Sequence, residues 1–227
     1  MKSLKHVVCV TALLGLFLFG LGVSAPKAVA GGPNPVVIME TSMGRVIVML
    51  YPDKAPITVE NFLRYVDKGF YDGTIFHRIL QMDPDKYKDE RVKAGMINIV
   101  QGGGFTYPPL QMKRPLWAPI KSEDSKGLGN VKGTIGMART DNPDSATCQF
   151  FFNVADNPGL NLSSESVTDR KTGKDKSKTR RGYCSFGKVI RGWDTVEKMH
   201  QVKTGRMGRY EDVPVEPIYL LKAYRAR

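Results

Sequence analysis

Val36-Val37-Ile38-Met39-Glu40-Thr41-Ser42-Met43-Gly44-Arg45-Val46-Ile47-Val48-Met49-Leu50 reads as two β-rich runs about a turn. β-Branched and other apolar residues fill both arms, and Thr41-Ser42-Met43-Gly44 between them suits a hairpin. Ahead of it, Gly31-Gly32-Pro33-Asn34-Pro35 is a flexible leader. Behind it, Val59, Phe62, Leu63 and Val66 fall at i, i+3, i+4 and i+7, the apolar stripe of a helix that Pro56 starts and Gly69 stops. Further β-like runs follow at Ile97–Val100, Gly133–Ala138, Gln149–Val154, Ser185–Ile190 and Ile218–Ala223, parted by Gly, Pro and Asn. Trp193, Val196 and His200 share the spacing of a short second helix. Many short strands with few helices favour a closed antiparallel barrel or a sandwich over a parallel α/β sheet.

The 227 residues leave room for one large domain or two small ones, and no internal repeat divides them. Hydrophobic content of 41 % and charged content of 25 % are those of an ordinary globular protein. The first thirty residues have the form of a secretory signal peptide: Lys2 and Lys5, an apolar run over Val7–Val23, then Ala28-Val29-Ala30 before Gly31. The reading predicts cleavage after residue 30 and export to a bacterial periplasm or the medium. An uncleaved membrane anchor is the competing reading. Of the net charge of +12, Lys2, Lys5 and Lys27 in that segment carry three, which leaves +9 on residues 31–227.

Much of that charge falls in two segments that look inserted, near 81–95 and 162–182. Asp83–Lys93 is dense in both signs, and Ser163–Arg181 carries Arg170, Lys171, Lys174, Lys176, Lys178, Arg180 and Arg181 with almost nothing apolar. Such runs bury too little surface to order themselves, so solvated loops are expected. Contact of the basic run with nucleic acid or anionic lipid is the sharper alternative, and no specific nucleic-acid partner is expected. Cys148 and Cys184 can pair or stay free, since sequence alone does not decide it.

The usual catalytic sets are missing. His6, His77 and His200 form no zinc pattern. No Gly-x-Ser-x-Gly elbow occurs. Gly102-Gly103-Gly104 is not followed by the Lys-Ser/Thr of a phosphate loop. Neither a metal nor a cofactor is expected.

What remains is a set of segments in a fixed order. Phe76-His77-Arg78-Ile79, Gln101-Gly102-Gly103-Gly104-Phe105-Thr106, Gly133-Thr134-Ile135-Gly136-Met137-Ala138-Arg139-Thr140, Ser145-Ala146-Thr147-Cys148-Gln149-Phe150-Phe151-Phe152-Asn153, Phe186-Gly187-Lys188-Val189 and Gly192-Trp193-Asp194 span most of Val36–Ala223. Together they resemble the cyclophilin-type peptidyl-prolyl cis–trans isomerases, in particular bacterial exported members. The resemblance implies a mainly β fold, a closed eight-stranded antiparallel barrel capped by two α-helices over residues 36–227. It implies an enzyme that rotates Xaa-Pro bonds and assists the folding of exported polypeptides, working as a monomer on unfolded or partly folded proline-containing chains.

The residue types suit that reaction. The rotation barrier is about 20 kcal/mol and comes from amide resonance, so no nucleophile or metal is needed. A dry pocket and one donor to the twisted nitrogen suffice. By resemblance Arg78 is that donor, a fixed charge on a rigid fork. Gln101 shares the catalytic role, and Gln149 orients Arg78 and the substrate backbone. Ile99, Phe151 and Leu160 are the apolar wall, Ala138 and Arg139 the edge, and Tyr183 a further site residue. His77 is expected to be structural. A surface Arg78 and a purely core phenylalanine run are the bland readings of the same residues.

Three departures stand out. Residues 79–100 separate Arg78 from Gln101, a much longer stretch than the family carries. Asn98 stands where an aromatic pocket residue is expected, with Met96 as a substitute if the strand shifts. Gly159 stands where members carry Trp or Phe, which predicts weak binding of cyclosporin-type inhibitors. These changes keep a second reading alive, a module that holds proline segments without useful turnover.

Overall fold

The computed structural model describes residues 33–89, 92, 95–168 and 175–226. The proposed signal segment 1–30 lies outside them, as do Gly31 and Gly32 of the leader and residues 169–174 of the basic run. Among the described residues no helix is long and apolar enough to cross a membrane.

The opening hairpin forms as read: β1 (Val36–Thr41) pairs in antiparallel register with β2 (Gly44–Leu50). Strands β3 (Thr74–Leu80), β4 (Ile99–Thr106), β6 (Thr134–Met137), β7 (Phe150–Asn153), β10 (Ser185–Arg191) and β13 (Ile218–Arg225) join them. The order β3-β13-β1-β2-β10-β6-β7-β4 closes through a β4–β3 pairing, which makes an eight-stranded antiparallel barrel without a free edge. A two-residue strand, β5 (Gln111–Met112), appends to β4. Two short antiparallel ribbons stand outside the barrel, β8 (Ser163–Thr168) with β9 (Asp175–Arg180) and β11 (Thr204–Met207) with β12 (Tyr210–Pro214).

Helix α1 (Pro56–Asp67) buries Val59, Phe62, Leu63 and Val66, the stripe read from its spacing. Pro56 sits at its start, and Gly69, at φ +61°, turns the chain just past its end. Ala55 at the N-cap has no side chain to offer, and the buried Glu123 replaces it. Its carboxylate accepts from Ile57 N at 3.2 Å and from Thr58 N and Oγ1 at 2.8 Å, satisfying donors that the first turn leaves open. Helix α2 (Trp193–His200) is tied to β3 through the ring Nε2 of His200 and the Leu80 carbonyl, 2.8 Å apart.

The barrel interior is aromatic. Phe62, Phe76, Phe150, Phe152 and Phe186 are fully buried in one cluster with Tyr65 and Tyr71. Gly102 and Gly103 of Gln101-Gly102-Gly103-Gly104 admit the rings of Phe76, Phe150 and Tyr71. Gly103 has φ +82°, and a Cβ there would lie 2.7 Å from Phe150 Cε1.

Two expectations change. The basic run Ser163–Arg181 is not a plain loop, because residues 163–168 and 175–180 pair as the β8–β9 ribbon. Cross-strand pairing supplies order that the composition alone does not. The strand read at Ile97–Val100 begins at Ile99 and runs on to Thr106. Cys148 and Cys184 are both free and buried, and burial pushes both thiols up, that of Cys184 to about 12.

Candidate functional site

Four strands bring the candidate residues into one row. Arg78 on β3 is opposite Gln101 on β4, Gln101 is opposite Phe151 on β7, and Phe151 is opposite Gly136 on β6. Residues paired across neighbouring strands share a face, with Cβ atoms about 4.5–5.5 Å apart. Arg78, Gln101 and Phe151 therefore stand side by side on the outer wall. The alternation of β7 sorts its rings: Phe150 and Phe152 join the interior cluster, Phe151 a separate one. Gly136 ends the row by carrying no side chain. A Cβ there would lie 2.5 Å from Phe151 Cζ, in space the ring uses.

The separate cluster is made of Ile99, Phe151 and Leu160, with Leu80, Ile97, Ala138 and Tyr183 packed against it. Every apolar site residue read from the sequence is in it; Leu80 and Ile97 are additions. Tyr183 meets Phe151 edge-on at 5.9 Å between centroids. Arg139 does not project as a free edge group. Its guanidinium lies 4.3 Å over the Tyr183 ring and donates to the carbonyls of Gly182 (3.0 Å), Arg181 (2.8 Å) and Thr140 (2.7 Å). It fixes the wall that Tyr183 forms.

Asn98 closes the first insertion. Its Oδ1 accepts from Met82 N at 2.8 Å and its Nδ2 donates to Met82 O at 3.1 Å, so one side-chain amide ties residue 82 to residue 98. Asn157 holds the same residue from behind, accepting from Asn98 N at 2.9 Å and donating to Asn98 O at 3.1 Å. A residue with this task has no ring to offer a pocket. Met96 is buried but outside the pocket cluster, so it does not replace the aromatic.

The polar half of the site is centred on Arg78. Gln101 Nε2 donates to Gln149 Oε1 at 3.0 Å, which joins the two glutamines to each other. The group facing Arg78 is one that sequence reasoning missed: Asp212 Oδ2 lies 3.9 Å from Arg78 Nε. Asp212 sits on β12 with φ +58°, the left-handed region that few non-glycine residues enter. No motif marks it, because the β11–β12 ribbon that delivers it was itself unread. Tyr210 of that ribbon meets Phe105 edge-on at 5.1 Å. Together His77, Arg78, Phe105, Gln149 and residues 209–212 line an open cleft of about 370 Å³. His77 is buried, 4.2 Å from the Phe105 ring, and burial pushes its pKa down to about 4, with the Arg78 charge acting in the same direction. It is neutral at pH 7 and suits a structural role.

A solvent-reachable cation beside two bonded glutamines and a buried apolar cluster can donate to an amide while a small apolar ring packs against the cluster. It offers no nucleophile. Among the described residues no group of His, Cys, Asp and Glu side chains could hold a metal ion.

Residues 36–225 match the family described as cyclophilin type peptidyl-prolyl cis-trans isomerase/CLD. A peptidyl-prolyl cis-trans isomerase of Acinetobacter baylyi is 42 % identical over 209 residues, 92 % of each chain. Peptidyl-prolyl cis-trans isomerase B of Escherichia coli is 40 % identical over 185 residues, 82 % of this chain and 96 % of that one. Among solved structures, a Cryptosporidium parvum cyclophilin type isomerase superposes with a TM-score of 0.61 at 22 % identity, covering 86 % of this chain and 98 % of that one. That likeness speaks for the fold.

Proposed function

Since this chain belongs to the cyclophilin-type peptidyl-prolyl cis–trans isomerase family, we propose that Arg78 and Gln101 carry its isomerase activity and that its clients are exported polypeptides in the course of folding. The observation behind the first part is the row Arg78–Gln101–Phe151 across three adjacent strands, with the Ile99–Phe151–Leu160 cluster beside it.

The proline ring enters the pocket of Ile99, Phe151 and Leu160, and the preceding residue runs along Ala138 toward Arg139. Gln101 and Gln149 meet the substrate backbone. Tyr183 covers the ring from the side. Arg78 donates toward the imide nitrogen as it turns pyramidal and its lone pair, delocalised in the planar amide, localises into a hydrogen-bond acceptor that the ground state lacks. Interactions stronger in the twisted state than in either planar one lower the barrier in both directions. Exclusion of water by the apolar wall strengthens them.

Export rests on the charged start, apolar run and Ala-Val-Ala of residues 1–30. The mature chain would begin at Gly31, act in a periplasm or outside the cell, and work as a monomer. It would meet a membrane only if that segment stayed uncleaved. N-terminal sequencing of protein recovered from the producing cell tests this, with Gly31 expected and an intact Met1 on membrane-bound material contradicting it. Folding assistance predicts that catalytic amounts accelerate the proline-limited refolding phase of an exported protein. An unchanged phase would contradict it.

A further inference from the structure

The basic ribbon is spliced between Leu160 and Tyr183, two members of the apolar cluster. The chain leaves the barrel after Leu160 and returns at Tyr183, where Tyr183 N donates to Leu160 O at 2.8 Å and closes the neck. Gly182 fits that neck because it has no side chain: a Cβ would lie 2.7 Å from the Asn161 carbonyl carbon. The root is held firmly. Arg181 donates to both oxygens of Asp124, at 2.9 and 2.6 Å, and Gly182 N donates to Asp124 Oδ2 at 2.8 Å. The Asp124 side chain is only 1 % exposed, so this is an anchored pair and not a loose surface contact. Buried Asn130 donates to the carbonyls of Leu160 (3.1 Å) and Tyr183 (3.0 Å) from behind. The ribbon thus leaves the pocket mouth from a fixed base.

Arg180, the last residue of β9, lies at the rim. Its Nη1 donates to the carbonyl of Gly159 and its Nε to Ser163 Oγ at 3.3 Å. Gly159 is the middle of the Pro158–Leu160 turn that delivers Leu160 to the pocket. Residues 163–181 hold seven Lys or Arg against three Asp or Glu, and of these Arg180 is bonded to the Gly159 carbonyl.

We propose that Arg180 is a specificity residue, and that this isomerase prefers Xaa-Pro bonds flanked by Asp or Glu in its client chain. The proposal rests on the reading of Ile99, Phe151 and Leu160 as the proline pocket. A proline seated there brings its neighbours past the 158–160 turn. A guanidinium has five donors in a planar fork, more than those two contacts use, and the fork matches a carboxylate. The charge of Arg180 is fixed at the 158–160 turn, which favours a side chain of the bound client over a separate polyanion.

The test uses blocked tetrapeptides with Glu, Gln or Lys directly before or after an Ala-Pro pair, with cis–trans exchange followed by NMR so that no coupling protease intervenes. The wild-type protein should turn over one Glu peptide about threefold to fivefold better than its Lys counterpart, the range of one exposed charge contact. The difference should appear in KM and shrink at about 0.5 M salt. In Arg180→Gln the Glu-to-Lys ratio should fall toward one. Equal turnover of the three by wild type, or a ratio that Arg180→Gln leaves unchanged, overturns the proposal. So does a ratio of one combined with Arg180-dependent binding to anionic vesicles or single-stranded DNA. The Gln peptides report the pocket separately: failure to accelerate them would defeat the pocket reading, whatever the charge ratio.

Discussion

The two faces of β7 use one residue type for two ends. Phe150 lies within 6.1 Å of the rings of Phe62, Tyr71, Phe76 and Phe152, edge to face, in the fully buried interior. Phe151, between them in sequence, meets one ring, that of Tyr183, and a small cluster on the outer wall. Both are about equally buried. The difference is in what covers them. The interior ring is enclosed by the barrel itself, whereas the outer ring is sheltered largely by side chains from connecting segments, among them Ile97, Ala138, Leu160 and Tyr183. A strand with a period of two can therefore serve stability and binding at adjacent positions.

Truncation separates the two faces most sharply. Phe150→Ala should cost about 3–5 kcal/mol, because a closed barrel cannot collapse onto the hole. Phe151→Ala should cost about 1–2 kcal/mol less, since the outer shell can settle, while raising KM for proline peptides well beyond any change in Phe150→Ala protein that remains folded. Urea unfolding and steady-state kinetics on the same preparations check both halves. Equal stability losses with an unaltered KM would erase the distinction.

The next effect belongs to His77, which lies between core and site. Burial holds its folded pKa at about 4 against an ordinary value of 6.5. Between those values the unfolded chain binds more protons than the folded one, so this contribution to stability is fully present above about pH 6.5 and is lost as pH falls toward 4. The loss approaches about 3 kcal/mol. His77→Phe should flatten the fall in Tm over that window; an equally steep fall would place the linkage elsewhere.

The smallest effect probes the rim. Gly159→Trp should displace Arg180 from the Gly159 carbonyl and give a cyclosporin-type ligand an indole face and an N–H. Binding of that inhibitor, weak in the wild type on this account, should tighten by about tenfold or less, given roughly 0.5–1.5 kcal/mol for an aromatic contact. Titration of both proteins decides it, and equal affinities would place residue 159 outside the ligand's reach.

Much of this was legible in the sequence because periodicity and ordered motifs are local. The β1–β2 hairpin, the stripe of α1 and the strands around Phe150 and Phe186 all follow from residues close together along the chain. The members of the apolar cluster were legible through the family's motifs: Ile99 and Phe151 lie on neighbouring strands, and Ala138, Leu160 and Tyr183 join them from connecting segments. What escaped depends on contacts between distant segments. Asn98 looks like a defect in a pocket motif until its amide is seen bonded to Met82. Asp212 reaches Arg78, and Arg180 the Gly159 turn, from two ribbons whose polar strands carry no apolar alternation to announce them. The Ser163–Arg181 run reads as a solvated loop because its pairing is with itself and not with a core.

The most direct measurement is cis–trans exchange of a neutral Ala-Pro tetrapeptide with wild-type and Arg78→Ala protein at matched stability. Arg78 is 45 % exposed in its side chain, so the substitution should leave the fold intact. One preorganised charged donor contributes about 3 kcal/mol to a transition state, so kcat/KM should fall by roughly one to three orders of magnitude with far less change in peptide affinity. Wild-type turnover in folded Arg78→Ala protein would contradict the assignment of the catalytic donor, and with it the account of the row across β3, β4 and β7.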